Sequence, residues 1–303
     1  MSSTIEPKRV LVTGGRGFLG RYLVRELVRL GYQVYAPSKK AVNWTSRKQA
    51  RMVIRDYQPD EVYHLAGYNG DIQFNQKFAG TIFHRNTAMG LNVLDACREY
   101  GVPRVLSVIA SCAYPTETSL LTPDCLLKGE PHPSVEGHAY AKRNLVVMSR
   151  LYNQQFGCNF GTVCPPTLFG PPCARPNSKV MDQLIYKFWT AKREGFPAVQ
   201  LLGNGAPHRQ VLYVEDCPRL LWQAMWDPST FKETCHIAGH EKTVRELAEM
   251  VCEAVQYKGE IHWNGSVDMN GQMRKNLVAG PEYGPATSLE EGIRKTLASL
   301  EAA

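Results

Sequence analysis

Glycines 14, 17 and 20 fall three apart in Thr13-Gly14-Gly15-Arg16-Gly17-Phe18-Leu19-Gly20. Backbone without side chains at this spacing can lie against a pyrophosphate. A helix opening just after the turn would aim its first amide groups at the negative charge. The chemistry is dinucleotide binding. A second indication lies in Val34-Tyr35-Ala36-Pro37-Ser38-Lys39-Lys40. Folds that select NAD place an acid there to hold the ribose hydroxyls. No acid occurs; Lys39 and Lys40 do, with Arg16 in the glycine turn. A guanidinium matches two phosphate oxygens at once, so the pattern predicts NADP over NAD. His236 and His240 have Gly239 between them and no carboxylate to complete a ligand set, so loop or surface packing is expected there and no metal. Asp216 is expected to cap a helix starting near Pro218.

The elements that must position these groups follow from the pattern. Apolar runs at 9–12, 33–36, 61–66, 104–109 and 159–164 read as strands, and amphipathic segments at 21–30, 86–100 and 138–156 read as helices. Strand–helix alternation predicts an α/β fold, a doubly wound parallel sheet of Rossmann type. The breakers at 170–177 read as a loop, followed by a helix at 180–193, a strand at 210–214 expected to rejoin the sheet, and helices at 243–255 and 288–300. The expected division is a coenzyme-binding domain over 1–170, with 208–236 returning to it, and a smaller substrate lobe of 171–207 and 237–303. That lobe would close over the carboxyl ends of the strands, where ligands bind in such folds.

The chain has 303 residues, 44% hydrophobic and 21% charged, which excludes a disordered chain. Its net charge of +7 comes from scattered basic residues. That fits an anionic small ligand and not a nucleic-acid stripe. No apolar stretch approaches the ~20 residues of a membrane span, so no membrane partner is expected. Nine cysteines without a C-x-x-C pair, and no apolar leader, read as reduced thiols in a cytoplasmic protein.

Several segments, in order and nearly end to end, carry a resemblance. They are Val10-Leu11-Val12-Thr13-Gly14-Gly15, Val62-Tyr63-His64-Leu65-Ala66-Gly67, Ser111-Cys112-Ala113-Tyr114-Pro115, Tyr140-Ala141-Lys142-Arg143, Leu168-Phe169-Gly170-Pro171, Pro207-His208-Arg209-Gln210 and Gly271-Gln272-Met273-Arg274-Lys275. The chain resembles the extended short-chain dehydrogenase/reductases and, within them, the GDP-L-fucose synthase family. That family epimerises a GDP-4-keto-6-deoxymannose at C3 and C5 and reduces the 4-keto group with NADPH. The resemblance implies coenzyme contacts from Gly14, Arg16, Gly17, Phe18, Leu19, Gly20, Ser38, Lys39, Leu65, Ala66, Gly67, Lys142, Pro165, Thr167 and Leu168. It implies substrate contacts from Ser111, Asn177, Val180, Lys187, Arg209 and Lys275. It also implies a homodimer formed through paired helices, one containing residues 138–156.

The departures fall on the catalytic positions. The family's proton-donating Tyr, four residues before the lysine, is His138; its carbonyl-holding Ser is Ala110; its acidic His is Lys179; the Asn of its Pro-Thr-Asn is Thr167. Cys112 and Lys142 are kept. Tyr140 lies about 200° around the helix from His138 and faces away. Ser111 follows Ala110 at a strand end and is expected to point to the opposite face. The candidate catalytic set is therefore Cys112, His138, Lys142 and Lys179. An imidazole beside Lys142 would be neutral and suited to acid–base work. Cys112 would be a base if nearby cations lower its pKa. Lys179 would be the opposing acid if burial lowers its own.

The reading is an NADP-dependent enzyme acting on a keto-sugar carried by a nucleoside diphosphate, with GDP the expected nucleotide. It would work by epimerisation, 4-keto reduction or both. Two alternatives stand beside it: a degenerate paralogue that binds coenzyme and sugar nucleotide without turnover, and a C4-type epimerase or dehydratase with a tightly held coenzyme. A longer sugar such as a heptose would suit the altered pocket equally well.

Overall fold

Strands that read as unbroken apolar runs are buried on both faces, as parallel strands between two helical layers must be. The computed structural model describes residues 8–173, 179–265 and 273–302. Its strands are β1 (Arg9–Thr13), β2 (Gln33–Tyr35), β3 (Glu61–His64), β4 (Arg104–Val108), β5 (Leu120–Leu121), β6 (Phe160–Cys164), β7 (Thr167–Phe169), β8 (Ala198–Leu201), β9 (His208–Tyr213), β10 (Cys235–His236), β11 (His240–Thr243), β12 (Glu260–Trp263) and β13 (Asn276–Leu277). Its α-helices are α1 (Phe18–Arg29), α2 (Arg47–Tyr57), α3 (Ile72–Lys77), α4 (Ala79–Glu99), α5 (Glu136–Phe156), α6 (Val180–Glu194), α7 (Cys217–Trp226), α8 (Val244–Val255) and α9 (Leu289–Glu301).

The large sheet is parallel throughout, in the order β10-β6-β4-β3-β1-β2. Alternate side chains divide between its faces. Val10, Val12, Tyr63, Leu106 and Val163 pack with Leu23 and Leu27 of α1 and Leu220 and Leu221 of α7. Leu11, Val62, Val105 and Phe160 pack with α2, α4 and α5 on the other side. The order of the chain reverses at β1, which has β2 on one flank and β3 on the other. Such a switch point leaves a crevice at the carboxyl ends of the strands.

The second core is smaller. Met181, Leu184, Ile185 and Phe188 of α6 meet Leu247 and Val251 of α8 and Ile293 and Leu297 of α9. They cover the sheet β11-β9-β7 and the pair β12-β8. Helix α8 opens with a reciprocal cap between Thr243 and Glu246. Among the described residues, no helix is long and apolar enough to cross a membrane.

Three expectations are corrected. Residues 208–213 do not rejoin the large sheet: β9 pairs with β7 and β11, while α7 and β10 do return. An apolar run announces a strand but not its neighbours. Asp216 stands at the N-cap position of α7 as expected, but makes no side-chain cap bond there. Its carboxylate accepts from the Ala286 and Thr287 amides and the Thr287 hydroxyl, pinning the approach to α9. His236 is not a surface residue but a buried member of β10.

Candidate active site

The glycine turn sits at the switch point. Gly14 has φ of +72°, and a Cβ there would lie 2.8 Å from the Ala66 nitrogen. A Cβ on Gly20 would lie 2.2 Å from the Gly14 oxygen, so the first turn of α1 closes directly on the loop. The Thr13 hydroxyl accepts from the Ala66 amide and meets His64 Nδ1 at 2.8 Å, fastening the end of β1 to that of β3. Gly17 precedes α1 and makes no side-chain cap, and the helix's N-terminal end faces the glycine turn. Phe18 and Leu19 begin α1 and are half-buried. Leu65, Ala66 and Gly67 leave β3, Pro165 leaves β6, and Thr167 and Leu168 form the start of β7. Ser38 holds the turn after β2 by accepting from the Ala41 amide. Arg16, Lys39 and Lys40 are exposed. A backbone cradle that a Cβ would fill, with cations and no acid after β2, fits a dinucleotide bearing an extra phosphate.

Helix α5 organises the catalytic candidates. It runs close against α4: a Cβ on Gly137 would lie 2.2 Å from the Ala79 oxygen, so glycine is required just before His138. Lys142 Nζ donates to the Val108 carbonyl at 2.8 Å, and Arg143 Nε donates to the Ala113 carbonyl at 2.6 Å. These bonds hold the end of β4 and the 3₁₀ turn Ser111–Ala113 that carries Cys112. From the other side, the Tyr114 hydroxyl meets His236 Nε2, while His236 Nδ1 bonds the Val278 carbonyl. The expected alternation at Ser111 does not apply, because residues 111–113 form a turn and not a strand.

His138 is 6% exposed. Its Nδ1 lies 3.4 Å from Asn86 Nδ2 and its Nε2 lies 3.4 Å from Asn69 Nδ2. Burial first, then Lys142 and Lys179, pull its pKa down to about 3, so the imidazole is neutral at physiological pH. Burial lowers the Lys142 pKa to about 8, against the countering influence of Cys112 and Cys164. Lys275 is lowered by burial, with Arg209 and Lys179 adding to the effect and Cys112 opposing it. Burial takes Arg209 down to about 10. Lys179 donates to the Gly70 carbonyl at 2.7 Å from the residue preceding α6. Cys112, His138, Lys142, Lys179, Arg209 and Lys275 thus share one electrostatic environment, rich in cations.

Val180, the first residue of α6, packs at the edge of the second core. Lys187 is not drawn into this cluster; it is exposed and donates to the Gln200 carbonyl on β8. Asn177 lies outside the described residues. Tyr140 points away, its hydroxyl bonded to Glu130. Asn69, Asn86, Arg143, Tyr114 and His236 escape a reading of the sequence, because each acts through contacts 30 or more residues away. The i, i+1 spacing of Lys142 and Arg143, both buried on α5, was the one available signal.

A parallel sheet with its switch at β1, a glycine turn at the switch and a cluster of basic side chains beside it define a Rossmann-type dinucleotide-crevice protein. The chain belongs to the NAD dependent epimerase/dehydratase family, whose pattern matches residues 10–238. It is 29% identical to a GDP-L-fucose synthase from Dictyostelium discoideum over 286 residues, 91% of this chain and 88% of that one. It is 26% identical to a GDP-L-colitose synthase from Yersinia pseudotuberculosis, covering 95% of this chain and 96% of that one. A crystal structure of a GDP-L-fucose synthetase from Naegleria fowleri bound to NADP superposes with a TM-score of 0.85 at 25% identity, over 97% of this chain and 94% of that one.

Proposed function

We propose that the protein binds NADP(H) and a GDP-linked keto-sugar, and catalyses reduction of the ketone, epimerisation beside it, or both. The observation that carries this reading is the convergence of a neutral His138, Cys112 and several cations at the carboxyl edge of the sheet, next to the glycine turn. The names of the relatives support the nucleotide sugar, and the NADP-bound structure supports the coenzyme.

Gly14, Gly17 and Gly20 would hold the pyrophosphate of the coenzyme, and Arg16 with Lys39 its additional phosphate. When bound, NADPH supplies a hydride to a carbonyl carbon. Lys142, already fixed to Val108, orients the nicotinamide ribose. Arg209 and Lys275 neutralise the diphosphate of the sugar nucleotide; their partial burial makes each charge more effective than it would be in water. His138 holds the ketone oxygen in place of the phenol of its relatives, and the alkoxide left by hydride transfer takes its proton from water. Cys112 takes a proton from the carbon beside the ketone, and Lys179 returns one from the opposite side. The core around β1 to β6 would serve as the coenzyme half and the α6–α8–α9 core as the substrate half. A cytoplasmic homodimer paired through α4 and α5 completes the proposal, with Phe83, Leu91 and Leu151 exposed on those helices.

The test is incubation with GDP-4-keto-6-deoxymannose in deuterated water, with and without NADPH, read by mass spectrometry. Reduction consumes NADPH; epimerisation adds solvent deuterium to the sugar. Product formed without added coenzyme would point to the transient-oxidation alternative. Ligand-induced thermal stabilisation without product would leave only a binding protein.

A further inference from the structure

Both ring nitrogens of His138 face side-chain amide nitrogens, and a neutral imidazole has one donor and one acceptor. One of the two amides must therefore present oxygen. The backbone of Tyr68 decides which. Asn86 Oδ1 accepts from the Tyr68 amide at 2.7 Å, and Asn86 Nδ2 donates to the Tyr68 carbonyl at 2.9 Å. Turning the Asn86 amide over would set oxygen against oxygen and N–H against N–H. Its orientation is thereby fixed by chemistry, independently of any assignment of O and N. The second hydrogen on Nδ2 faces His138 Nδ1, which must then be the lone-pair nitrogen. Asn69 has no comparable constraint: it is exposed, so its amide can present Oδ1 to Nε2.

We propose that Asn86 is a positioning residue that sets the tautomer of His138, so that the imidazole offers an Nε2–H donor, and not a lone pair, to the ligand side of the pocket. This rests on the reading of His138 as the group facing the ketone. It also narrows that reading. The Nε2 position cannot take a proton from substrate; it can only donate a hydrogen bond to an oxygen. A buried neutral imidazole in this state polarises a carbonyl as an electrophile. The exposed Asn69 amide stands 3.4 Å from Nε2, and turned over it would accept this N–H where the ketone oxygen is to sit. Proton abstraction beside the ketone is left to Cys112.

The experiment is long-range proton–nitrogen NMR of the full chain labelled with ¹⁵N-histidine at neutral pH, without coenzyme or sugar. The His138 resonances are assigned by their loss in His138→Phe. The expected pattern is a protonated Nε2 and a bare Nδ1. In Asn86→Asp a carboxylate oxygen replaces the amide donor, and the expected result is a proton on Nδ1. A wild-type proton on Nδ1, or an unchanged pattern in folded Asn86→Asp, overturns the proposal. If Asn86→Asp does not fold, the wild-type spectrum decides alone. Because no turnover is read, failure of the proposed reaction leaves this result intact, and the reverse also holds.

Discussion

Lowering the pH from 7 to 5 should destabilise the protein through three buried imidazoles. His64 and His138 have their pKa values pulled down to about 3 and His236 to about 4, burial being the largest cause for each. The unfolded chain binds a proton at each below pH ~6.5. Above that pH both states are neutral and nothing is lost. Below it only the unfolded state gains protons, so each histidine costs about 1.4 kcal/mol per pH unit until its folded pKa is reached. At pH 5 this is about 2 kcal/mol each, or roughly 6 kcal/mol together, against a typical total of 5–15 kcal/mol. The three add independently because all remain uncharged in the folded state throughout this window. Lys142, lowered to about 8, is charged in both states below pH 7 and contributes a constant cost. Glu61 acts in the opposite sense: burial raises its pKa, so protonation on acidification relieves a cost and offsets part of the loss. Carboxylates held low, such as Glu241 beside Arg274, begin to lose stability only below pH ~4.5. Urea denaturation at pH 7 and pH 5, followed by circular dichroism, should show a loss of several kcal/mol. His138→Phe should shrink that difference by about a third. Equal stability at the two pH values would refute the claim that these imidazoles are buried and neutral.

Gly137→Ala drives a methyl group into the Ala79 carbonyl. A loss of about 1–3 kcal/mol in denaturant titrations is expected, with weakened turnover as α5 shifts; unchanged stability would contradict the close approach. Arg143→Met leaves the Ala113 carbonyl without its donor and should cost about 1–3 kcal/mol and slow solvent-deuterium incorporation at the sugar, since the turn carrying Cys112 loses its fastening. Arg209→Ala should raise KM for the sugar nucleotide with little change in NADPH affinity by calorimetry; an equal loss of both would place Arg209 elsewhere. Combined Arg16→Ala and Lys39→Ala should remove the preference for NADPH over NADH in the same assay.

The sequence revealed the large sheet because its strands are buried on both faces and therefore read as apolar runs. The glycine turn was legible for a related reason: only residues without side chains fit where α1 and Ala66 crowd it. The smaller lobe was harder. Strand β11 is half-exposed along its whole length and β13 has two residues, so neither carries a period to recognise. The partner of β9 is chosen by tertiary packing, which no local pattern encodes. In the site, Cys112, His138, Lys142 and Lys179 were legible as residue types in a known frame. Their environment was not. The neutrality of His138 follows from burial and from Lys142 and Lys179, and its orientation from Asn86 and Tyr68, which lie 52 and 70 residues before it in the chain. The role of Asp216 was missed for the same reason: a capping position and a tether to residues 286–287 look alike in sequence.

A redox coenzyme crossing the glycine turn would hold its reactive ring toward the imidazole of residue 138. A crystal structure of the complex with NADPH tests it most directly. The pyrophosphate is expected over Gly14 to Gly20, the added phosphate beside Arg16 and Lys39, and the nicotinamide facing His138 and Cys112. A nicotinamide lodged away from that imidazole, or a crevice that takes up no coenzyme at saturating concentration, would contradict it.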